Sequence, residues 1–419
     1  MEELLFLVHR IPYPPDKGDK IRFWNILKYL ARSYRIHLGA FVDDPRDQRY
    51  QDKLGAMCAS INLLPLPPTV SRLRSLSGLG RKIPLSIPYY HDRRMQQWVN
   101  ARLEEDSLQR IFVFSSAMAQ YVMNGQASSR RRVIDIVDVD SDKWRQYAQH
   151  KRWPVSWLYR REAECLLAFE KDVATTFDAS IFVSSAEAAL FRRLVPEASG
   201  RVCFLDNGVD RDYFSPERDY DNPYGEQARV IVFTGVMDYW VNVHAVTWFV
   251  QHVMPRIRAA VPSARFVIVG ARPASEVQRL ASAPGVEVTG AVPDVRPYLA
   301  HAHAAVAPLR IARGVQNKLL EAMAMAKPVL ATSAAVEGIE FNDPGVLLVA
   351  DDEYQMAEQA IRMLLPDTPA DAAGARQWVC RRYDWDTNLM QLNQLLDGPL
   401  KRQHDAPLHS KGKTVGQTA

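Results

Sequence analysis

Cysteine is scarce in this sequence, and the four that occur form no recognisable pattern. Cys58, Cys165, Cys203 and Cys380 lie far apart, and no C-x-x-C pair is present. This spacing predicts neither a disulfide framework nor a cysteine-based zinc site. We therefore expect a protein of the reducing cytoplasm.

Long apolar runs and a strong net charge are also lacking. No stretch approaches the roughly 18 consecutive apolar residues of a membrane-spanning helix. The opening MEELLFLVHR has neither the basic start nor the long apolar segment of a signal peptide. The formal net charge of +4 is mild and argues against a nucleic-acid partner. The sequence thus predicts a chain that does not span a membrane and does not bind nucleic acid.

The length and the apolar pattern predict two α/β domains. A chain of 419 residues is long for one hydrophobic core. In both halves, short apolar runs typical of parallel strands alternate with helical stretches, and a polar, proline-containing segment separates the halves. We expect a doubly wound N-terminal domain at 1–205, a linker at 206–227 and a second such domain at 228–383. A C-terminal helix at 384–396 should pack back on the first domain, and a disordered tail should follow at 397–419.

The most informative stretch is AAVAPLRIARGVQNKLLEAMAMAKPVLAT, from Ala304 to Thr332. It predicts a buried strand, a loop, a helix and a second strand. On the helix, Lys318 and Glu321 lie one turn apart, preceded by Arg310 and Gly314 in the loop. Cations and free N–H groups suit phosphates, and a carboxylate suits vicinal hydroxyls, so the stretch predicts a nucleotide-sugar pocket. Alternatively, Lys318 and Glu321 only pair with each other, for a few tenths of a kcal/mol.

Four aspartates crowd the end of a predicted strand in IDIVDVDSDKW, namely Asp135, Asp138, Asp140 and Asp142. Such a group can bind a divalent cation, and Asp138 or Asp140 can contact a sugar hydroxyl or act as a base. The alternative is a strand end whose polar side chains, Ser141 or Asp142, cap the next helix.

Gly18, in PPDKGDKIR, lies where the first predicted strand's loop meets its helix. A glycine there allows a ligand phosphate or sugar to approach backbone N–H groups. The alternative is an ordinary turn glycine.

Two stretches mix basic and aromatic side chains, at His150 to Arg161 and at Arg72 to Arg102. Basic residues attract anionic head groups, and tryptophan and tyrosine favour the membrane interface. The stretches predict peripheral contact with an anionic membrane, and the alternative is a solvated helix face.

With these residues assembled, the chain resembles the retaining glycosyltransferases of family 4, which have the GT-B fold. The resemblance rests on the loop at Gly18 and on DNGVDRDYFSP, FTGVMDYWVN, VTGAVPDVRPYLAHAHAAVAPL and NKLLEAMAMAKPVLAT. PPDKGDKIR, DVDSDKW and RGVQNKLLEAMAMAKPV look most like sugar transferases of PEP-CTERM and exosortase exopolysaccharide systems.

The resemblance implies roles for individual positions. Glu321 binds the donor ribose hydroxyls, and Gly18 meets the donor phosphate or sugar. Where the family commonly has a second glutamate, this chain has Arg313, and where it commonly has a lysine after the FTG strand, this chain has the run Asp238 to Trp240. Arg310 and Lys318 are the expected substitutes in diphosphate binding.

The full set of expected site residues has three parts. The catalytic candidates are Arg310, Lys318 and Asp138. The donor contacts are Gly18, Gly235, Arg310, Gly314, Val315, Gln316, Lys318, Leu319 and Glu321. The acceptor or sugar contacts are Asp16, Lys17, Asp138 and Asp140.

The expected activity is transfer of a sugar from a UDP-, GDP- or dTDP-sugar to a glycan or a polyprenyl-linked acceptor, with retention, without a metal and without a cofactor. We expect it in the cytoplasm, at the inner face of the cytoplasmic membrane. A non-catalytic nucleotide-sugar-binding scaffold of a polysaccharide assembly complex is the alternative from another class. A nucleotide-sugar epimerase is the alternative among enzymes.

Overall fold

The computed structural model describes residues 1–15, 18–149, 151–226, 228–312, 314–339, 347–365 and 372–398. The sequence-based expectations for Asp16, Lys17 and Arg313 lie outside the described residues, as does most of the predicted tail. Asp397 is described and ends the last helix, where its carboxylate accepts a hydrogen bond from the Tyr34 hydroxyl at 2.8 Å.

The first sheet contains seven parallel strands in the order β3-β2-β1-β4-β5-β6-β7. The apolar side chains of the inner strands are buried almost without interruption, as expected for a sheet covered by helices on both faces, whereas the edge strands β3 and β7 are only partly buried. The strands are Glu2–Val8 (β1), Tyr34–Val42 (β2), Ser60–Pro65 (β3), Leu108–Phe114 (β4), Arg131–Val137 (β5), Ala179–Phe182 (β6) and Val202–Phe204 (β7).

Helices cover this sheet. They are Gly18–Leu30 (α1), Gln51–Gly55 (α2), Pro68–Ser75 (α3), Ser86–Tyr89 (α4), Arg93–Leu103 (α5), Asp140–Gln149 (α6), Val155–Thr176 (α7) and Ser185–Leu194 (α8). Short 3-10 turns lie at Pro45–Tyr50, Leu76–Arg81, Ser116–Tyr121, Gly125–Ser129 and Pro196–Arg201.

The second sheet contains six parallel strands in the order β10-β9-β8-β11-β12-β13. The strands are Arg229–Thr234 (β8), Ala264–Val269 (β9), Val286–Gly290 (β10), Ala304–Ala307 (β11), Val329–Ala331 (β12) and Leu347–Val349 (β13). In both sheets the strand order reverses beside the first strand, which places the ligand crevice of this architecture at the carboxyl ends of the strands.

The second group of helices is Trp240–Trp248 (α9), Met254–Ala260 (α10), Ser275–Leu280 (α11), Arg296–His301 (α12), Asn317–Ala324 (α13), Ser333–Val336 (α14), Glu353–Leu364 (α15), Ala372–Arg382 (α16) and Trp385–Asp397 (α17). A π-helical turn at Phe249–Val253 separates α9 from α10. The sequence pattern predicts one continuous helix there. Pro255 breaks the regular pattern because it has no N–H to donate to the preceding turn.

The last helix belongs to the first core. Trp385, Leu389, Leu392 and Leu396 of α17 are buried with residues of β1, β2 and α1. Among the described residues, no helix is both long enough and apolar enough to cross a membrane.

Candidate functional site

The N-terminus of α13 is the centre of the candidate donor site. Gln316 precedes the helix in an extended conformation, and no side chain caps the helix start. The buried face of α13 carries Leu319 and Leu320, each 1% exposed, while Lys318 and Glu321 lie on the other face and keep some exposed surface. An uncapped helix start with a cation beside it is a favourable place for an anion.

Lys318 lies against the loop that follows β8. Its Nζ donates a hydrogen bond to Asn242 Oδ1 at 2.8 Å and lies 4.2 Å from the centroid of the Phe233 ring. A Cβ at Gly235 would lie 2.8 Å from Asn242 Nδ2 and 3.3 Å from Lys318 Nζ, so the glycine leaves room for both side chains. Burial lowers the pKa of Lys318 to about 7, against an opposing effect of Glu321.

Glu321 lies one turn further along α13. Burial raises the pKa of its carboxyl to about 7, and nearby Lys318 only partly offsets this effect. Within the described part of the chain, no ion pair joins the charged groups of Lys318 and Glu321, and the Glu321 carboxylate has no hydrogen-bond donor. The interpretation that the two residues serve only to pair with each other is therefore not supported.

Leu319 and Arg310 are also expected to contact the donor, but Leu319 lies on the buried face of α13 and Arg310 lies in the loop before this helix. Leu319 is buried in the core, and its N–H already donates to Gln316 O at 2.9 Å, so neither group is available to a ligand. The expectation failed because helical spacing assigns a side chain to a face, whereas the N–H bonds of the first turn depend on the loop before it. Arg310 is exposed, with its guanidinium carbon 5.8 Å from the Trp248 ring centroid.

Asp138 meets the C-terminal domain at Gly314. Gly314 has φ +63°, and a Cβ on it would lie 2.7 Å from Asp138 Oδ1. Val137, just before the aspartate, has φ +74°, an unusual conformation for a β-branched residue and one that marks a constrained position. Asp138 Oδ1 is buried and has no hydrogen-bond partner among the described residues. Desolvation raises the pKa of this carboxyl, against the opposing charge of Lys143.

The other aspartates of the cluster are separated from Asp138. Asp135 accepts from Arg22 Nε at 2.7 Å, and Asp142 accepts from Arg145 Nε at 2.9 Å. Asp140 begins α6, with its carboxylate 3.6 Å from Lys143 Nζ. The predicted cap at Ser141 or Asp142 is wrong by two or three residues, because α6 begins at Asp140 and the cap position is Val139. In the described structure these aspartates do not form a group spaced to hold a metal ion.

A hydrogen-bonded chain of four side chains crosses the cleft. Arg22 pairs with Asp135 and donates through Nη1 to Asn207 Oδ1 at 2.8 Å. Asn207 Nδ2 donates to Asn317 Oδ1, on the first residue of α13, at 2.9 Å. Asn317 Nδ2 would lie 3.8 Å from a Cβ on Gly18, so the starts of α1 and α13 face each other.

Sequence reasoning missed Arg22, Asn207 and Asn242 as residues that position the site. The residues that they contact lie far along the chain: Arg22 and Asp135 are 113 positions apart, and Asn242 and Lys318 are 76 apart. The NG pair in DNGVD was the only visible signal, and it reads first as a turn.

A second cavity of about 440 Å³ lies in the N-terminal domain at the carboxyl ends of β1 and β4. His9, Tyr90, Ser116, Asp140 and Tyr159 are among its lining residues. His9 is held by Asp19 at 3.2 Å, and burial lowers the pKa of its imidazole. The predicted acceptor contact Asp140 therefore lies at the wall of this cavity.

Comparison with known proteins agrees with this architecture. Residues 228–366 match the family described as "Glycosyl transferases group 1". The structure of Anabaena Alr3699/HepE in complex with UDP and glucose aligns with 95% of this chain and 100% of that one. The TM-score is 0.64, and the sequences are 16% identical. Sucrose-phosphate synthase from Thermosynechococcus elongatus gives a TM-score of 0.67 at 17% identity, over 94% of this chain and 98% of that one.

The chain has the GT-B fold. WaaG, a glycosyltransferase involved in lipopolysaccharide biosynthesis, shares it with a TM-score of 0.65 and 18% identity, over 94% of this chain and 100% of that one. A curated relative is 29% identical over 244 residues, which cover 53% of this chain. It is the GDP-mannose-dependent alpha-(1-6)-phosphatidylinositol monomannoside mannosyltransferase of Mycobacterium tuberculosis. The match spans 62% of that relative's length.

Proposed function

We propose that this GT-B protein is a retaining glycosyltransferase that moves a sugar from a nucleotide-diphosphate sugar to a glycan or lipid-linked acceptor in cell-surface polysaccharide synthesis. The observation that carries the proposal is the position of the charged side chains of Lys318 and Glu321 at the start of α13. Both are partly exposed beside an uncapped helix start, and within the described structure they are not joined to each other. The group 1 match over residues 228–366 and the UDP-bound GT-B structure from Anabaena support the same activity.

The donor diphosphate would lie between the starts of α1 and α13. Lys318 and the N–H groups near Gly314 would face the phosphates, and Arg310 would approach from the exposed side. Charge develops on the leaving diphosphate as the glycosidic bond breaks, and fixed cations in a closed cleft stabilise that charge without a metal. Glu321 would accept hydrogen bonds from the ribose hydroxyls.

Retention follows from the family resemblance. It implies attack on the donor from the face of the leaving group, with a donor phosphate oxygen helping to take the acceptor proton. Asp138 would contact the sugar, and this role is supported by its buried Oδ1, which lies beside Gly314 and has no hydrogen-bond partner among the described residues. No nucleophile from the protein is required by this scheme.

The direct test is donor binding followed by turnover. A thermal-shift screen of UDP-, GDP- and dTDP-sugars should find one that stabilises the protein by mass action. Isothermal titration of Lys318→Ala and Arg310→Ala should then show weakened binding, and unchanged affinity in both variants would overturn the assignment. Slow hydrolysis of the donor without acceptor separates an enzyme from a scaffold that only binds.

The acceptor side includes an exposed apolar and basic surface, which we call the α3–α7 face. It consists of α3, the turn after it and the start of α7. Exposed apolar side chains on it are Val70, Leu73, Leu76, Leu79, Trp153 and Trp157. Exposed basic side chains are Arg72, Arg81, Lys82, Lys151, Arg152 and Arg160.

The two halves of the α3–α7 face are joined. Arg161 Nη2 donates to Ile83 O at 3.1 Å, and Glu162 Oε1 accepts from Leu85 N at 2.7 Å. Leu85 and Tyr159 also line the cavity of the N-terminal domain. An anionic membrane bound at this face would therefore bring a lipid-linked acceptor close to the cavity.

Vesicle flotation tests this part of the proposal. The protein should float with vesicles that contain anionic lipid at low salt, and Leu73→Gln with Trp157→Gln should reduce the floated fraction several-fold. Met390→Gln is the matched control, because Met390 is 62% exposed on α17, away from this face. Absence of flotation at low salt would remove the membrane from the proposal and leave the donor site unaffected.

A further inference from the structure

A second group of polar side chains lies at the opposite edge of the N-terminal sheet from the cleft. Glu3 is the second residue of β1, His37 lies in the first half of β2, and Glu105 lies between α5 and β4. One nitrogen or oxygen atom from each of the three lies within 4.8 Å of the others. Parallel strands place their amino ends together, which explains how residues from distant parts of the chain meet here.

His37 is the most informative member of the group. It is 4% exposed, and its Nδ1 lies 2.8 Å from Ser60 Oγ. Its Nε2 is buried and has no hydrogen-bond partner within the described part of the chain, and the Glu3 carboxylate oxygen lies 3.7 Å away. Desolvation lowers the pKa of this imidazole, which favours the neutral form.

His37 Nε2 offers a lone pair in one of the two neutral tautomers that the contact with Ser60 allows. When Nδ1 donates its proton to Ser60, Nε2 presents a lone pair toward the Glu3 carboxylate. In that tautomer two electron-rich atoms face each other in a buried place, which is unfavourable unless a cation lies between them, whereas the other tautomer turns an Nε2–H toward Glu3. A hydrogen bond from the ring's other nitrogen is also the usual arrangement of a metal-binding histidine.

The two carboxylates are held in place by neighbours. Glu3 Oε2 accepts from Ser107 Oγ at 2.6 Å, and this hydrogen bond lowers the pKa of Glu3. Glu105 Oε1 lies 2.7 Å from Arg102 Nη1. Arg35, whose side chain is 60% exposed, lies 3.7 Å from Glu3 and is free to turn toward solvent. The arginines compete with a metal ion, so binding should be moderate in strength.

We propose that Glu3, His37 and Glu105 form a zinc-type cation site that lies outside the catalytic cleft. One imidazole nitrogen and two carboxylate oxygens suit Zn²⁺, with water in the fourth position. Metal–ligand distances of about 2.0–2.2 Å would require the Glu3 and Glu105 carboxylates to turn away from Ser107 and Arg102 toward His37 Nε2. The ion would join β1, β2 and the segment after α5, so its effect would be on the stability of this domain.

Equilibrium dialysis against Zn²⁺ with elemental analysis tests the site. The wild-type chain should hold one more equivalent of Zn²⁺ than His37→Asn and Glu105→Gln, and Zn²⁺ should raise the wild-type Tm by about 2–4 °C. His91→Gln and Glu104→Gln are matched controls, because both residues are exposed and lie outside the group. They should bind as much Zn²⁺ as the wild type.

The variants distinguish the possible results. Glu105 is only half-buried, so Glu105→Gln should fold even if His37→Asn does not. Equal Zn²⁺ binding in the wild type and in Glu105→Gln, with no difference in Tm response, would overturn the proposal. It would mean that a proton on His37 supplies the positive charge, or that metal binds only at exposed side chains. Donor binding in the cleft is independent of all these outcomes.

Discussion

Two pairs of oppositely charged residues lie close to the cleft, and they differ in burial and in whether the two partners contact each other. Arg22 and Asp135, in the N-terminal domain, are fully buried and joined at 2.7 Å. Lys318 and Glu321, in the C-terminal domain, remain partly accessible, and the described structure shows no ion pair between them. The first pair satisfies its charges within the protein, whereas the second, apart from the hydrogen bond from Lys318 to Asn242, leaves its hydrogen-bonding capacity for a ligand. A joined pair serves structure, and an unjoined pair in a cleft indicates a binding site.

The largest effect should follow from breaking the joined pair. Arg22→Met leaves the Asp135 carboxylate buried without its partner, and loss of one partner of a buried pair costs about 3–5 kcal/mol. Denaturant unfolding should show this loss. Arg22→Met with Asp135→Asn should recover part of it, and a single variant as stable as the wild type would contradict the structural role.

Lys318→Ala should weaken donor binding and leave the stability of the fold largely unchanged. A hydrogen bond to a charged group contributes about 1.5–3 kcal/mol, so the Kd for a nucleotide sugar should rise about 10- to 150-fold while the protein stays folded. Isothermal titration gives the affinity, and denaturant unfolding gives the stability. A large loss of stability with unchanged affinity would place Lys318 with Arg22 as a structural residue.

The affinity for an intact nucleotide sugar should depend on pH, with a maximum near pH 7. Phosphate binding favours charged Lys318, whose free pKa is about 7, so binding takes up a proton above that pH and the affinity falls as pH rises. Ribose hydroxyls favour ionised Glu321, whose free pKa is also about 7, so the affinity falls as pH decreases below that value. Titrations from about pH 5 to 9 measure both sides.

The variant Glu321→Gln separates these two contributions. It should remove the loss of affinity on the acidic side and keep the loss on the alkaline side. A profile unchanged by this substitution would mean that Glu321 does not face the donor.

The smallest effect should come from Asn242→Ala. Asn242 accepts from Lys318 and donates to Val236 O at 2.9 Å, so it fixes the position of the lysine without facing the donor itself. We expect a several-fold rise in Kd, with part of the affinity regained in Asn242→Gln. Titration against the same nucleotide sugar measures it, and a loss as large as that of Lys318→Ala would assign Asn242 a direct contact.

Much of the fold could be predicted from the sequence, because parallel strands covered on both faces are near-continuous apolar runs. The apolar run from Leu4 to His9 falls on the strand Glu2–Val8, and the run from Val230 to Thr234 falls on the strand Arg229–Thr234. The candidate site was only partly predictable. Glu321 and Lys318 share a helix, so their spacing places them together. Arg22 meets Asp135 and Asn207 through the tertiary fold, and no local pattern indicates such contacts.

Because α17 packs in the core of the N-terminal domain, the chain passes between the two domains twice. The two passages are tied side by side, since Val209 N donates to Tyr383 O at 2.7 Å and the ring of Trp385 packs where Gly208 has no side chain. Because the two connecting segments lie side by side, they restrict the motion of one domain relative to the other to rotation about a single hinge axis. Any opening of the cleft should therefore follow one axis, and an N-terminal domain expressed alone would need residues 385–397 to complete its core.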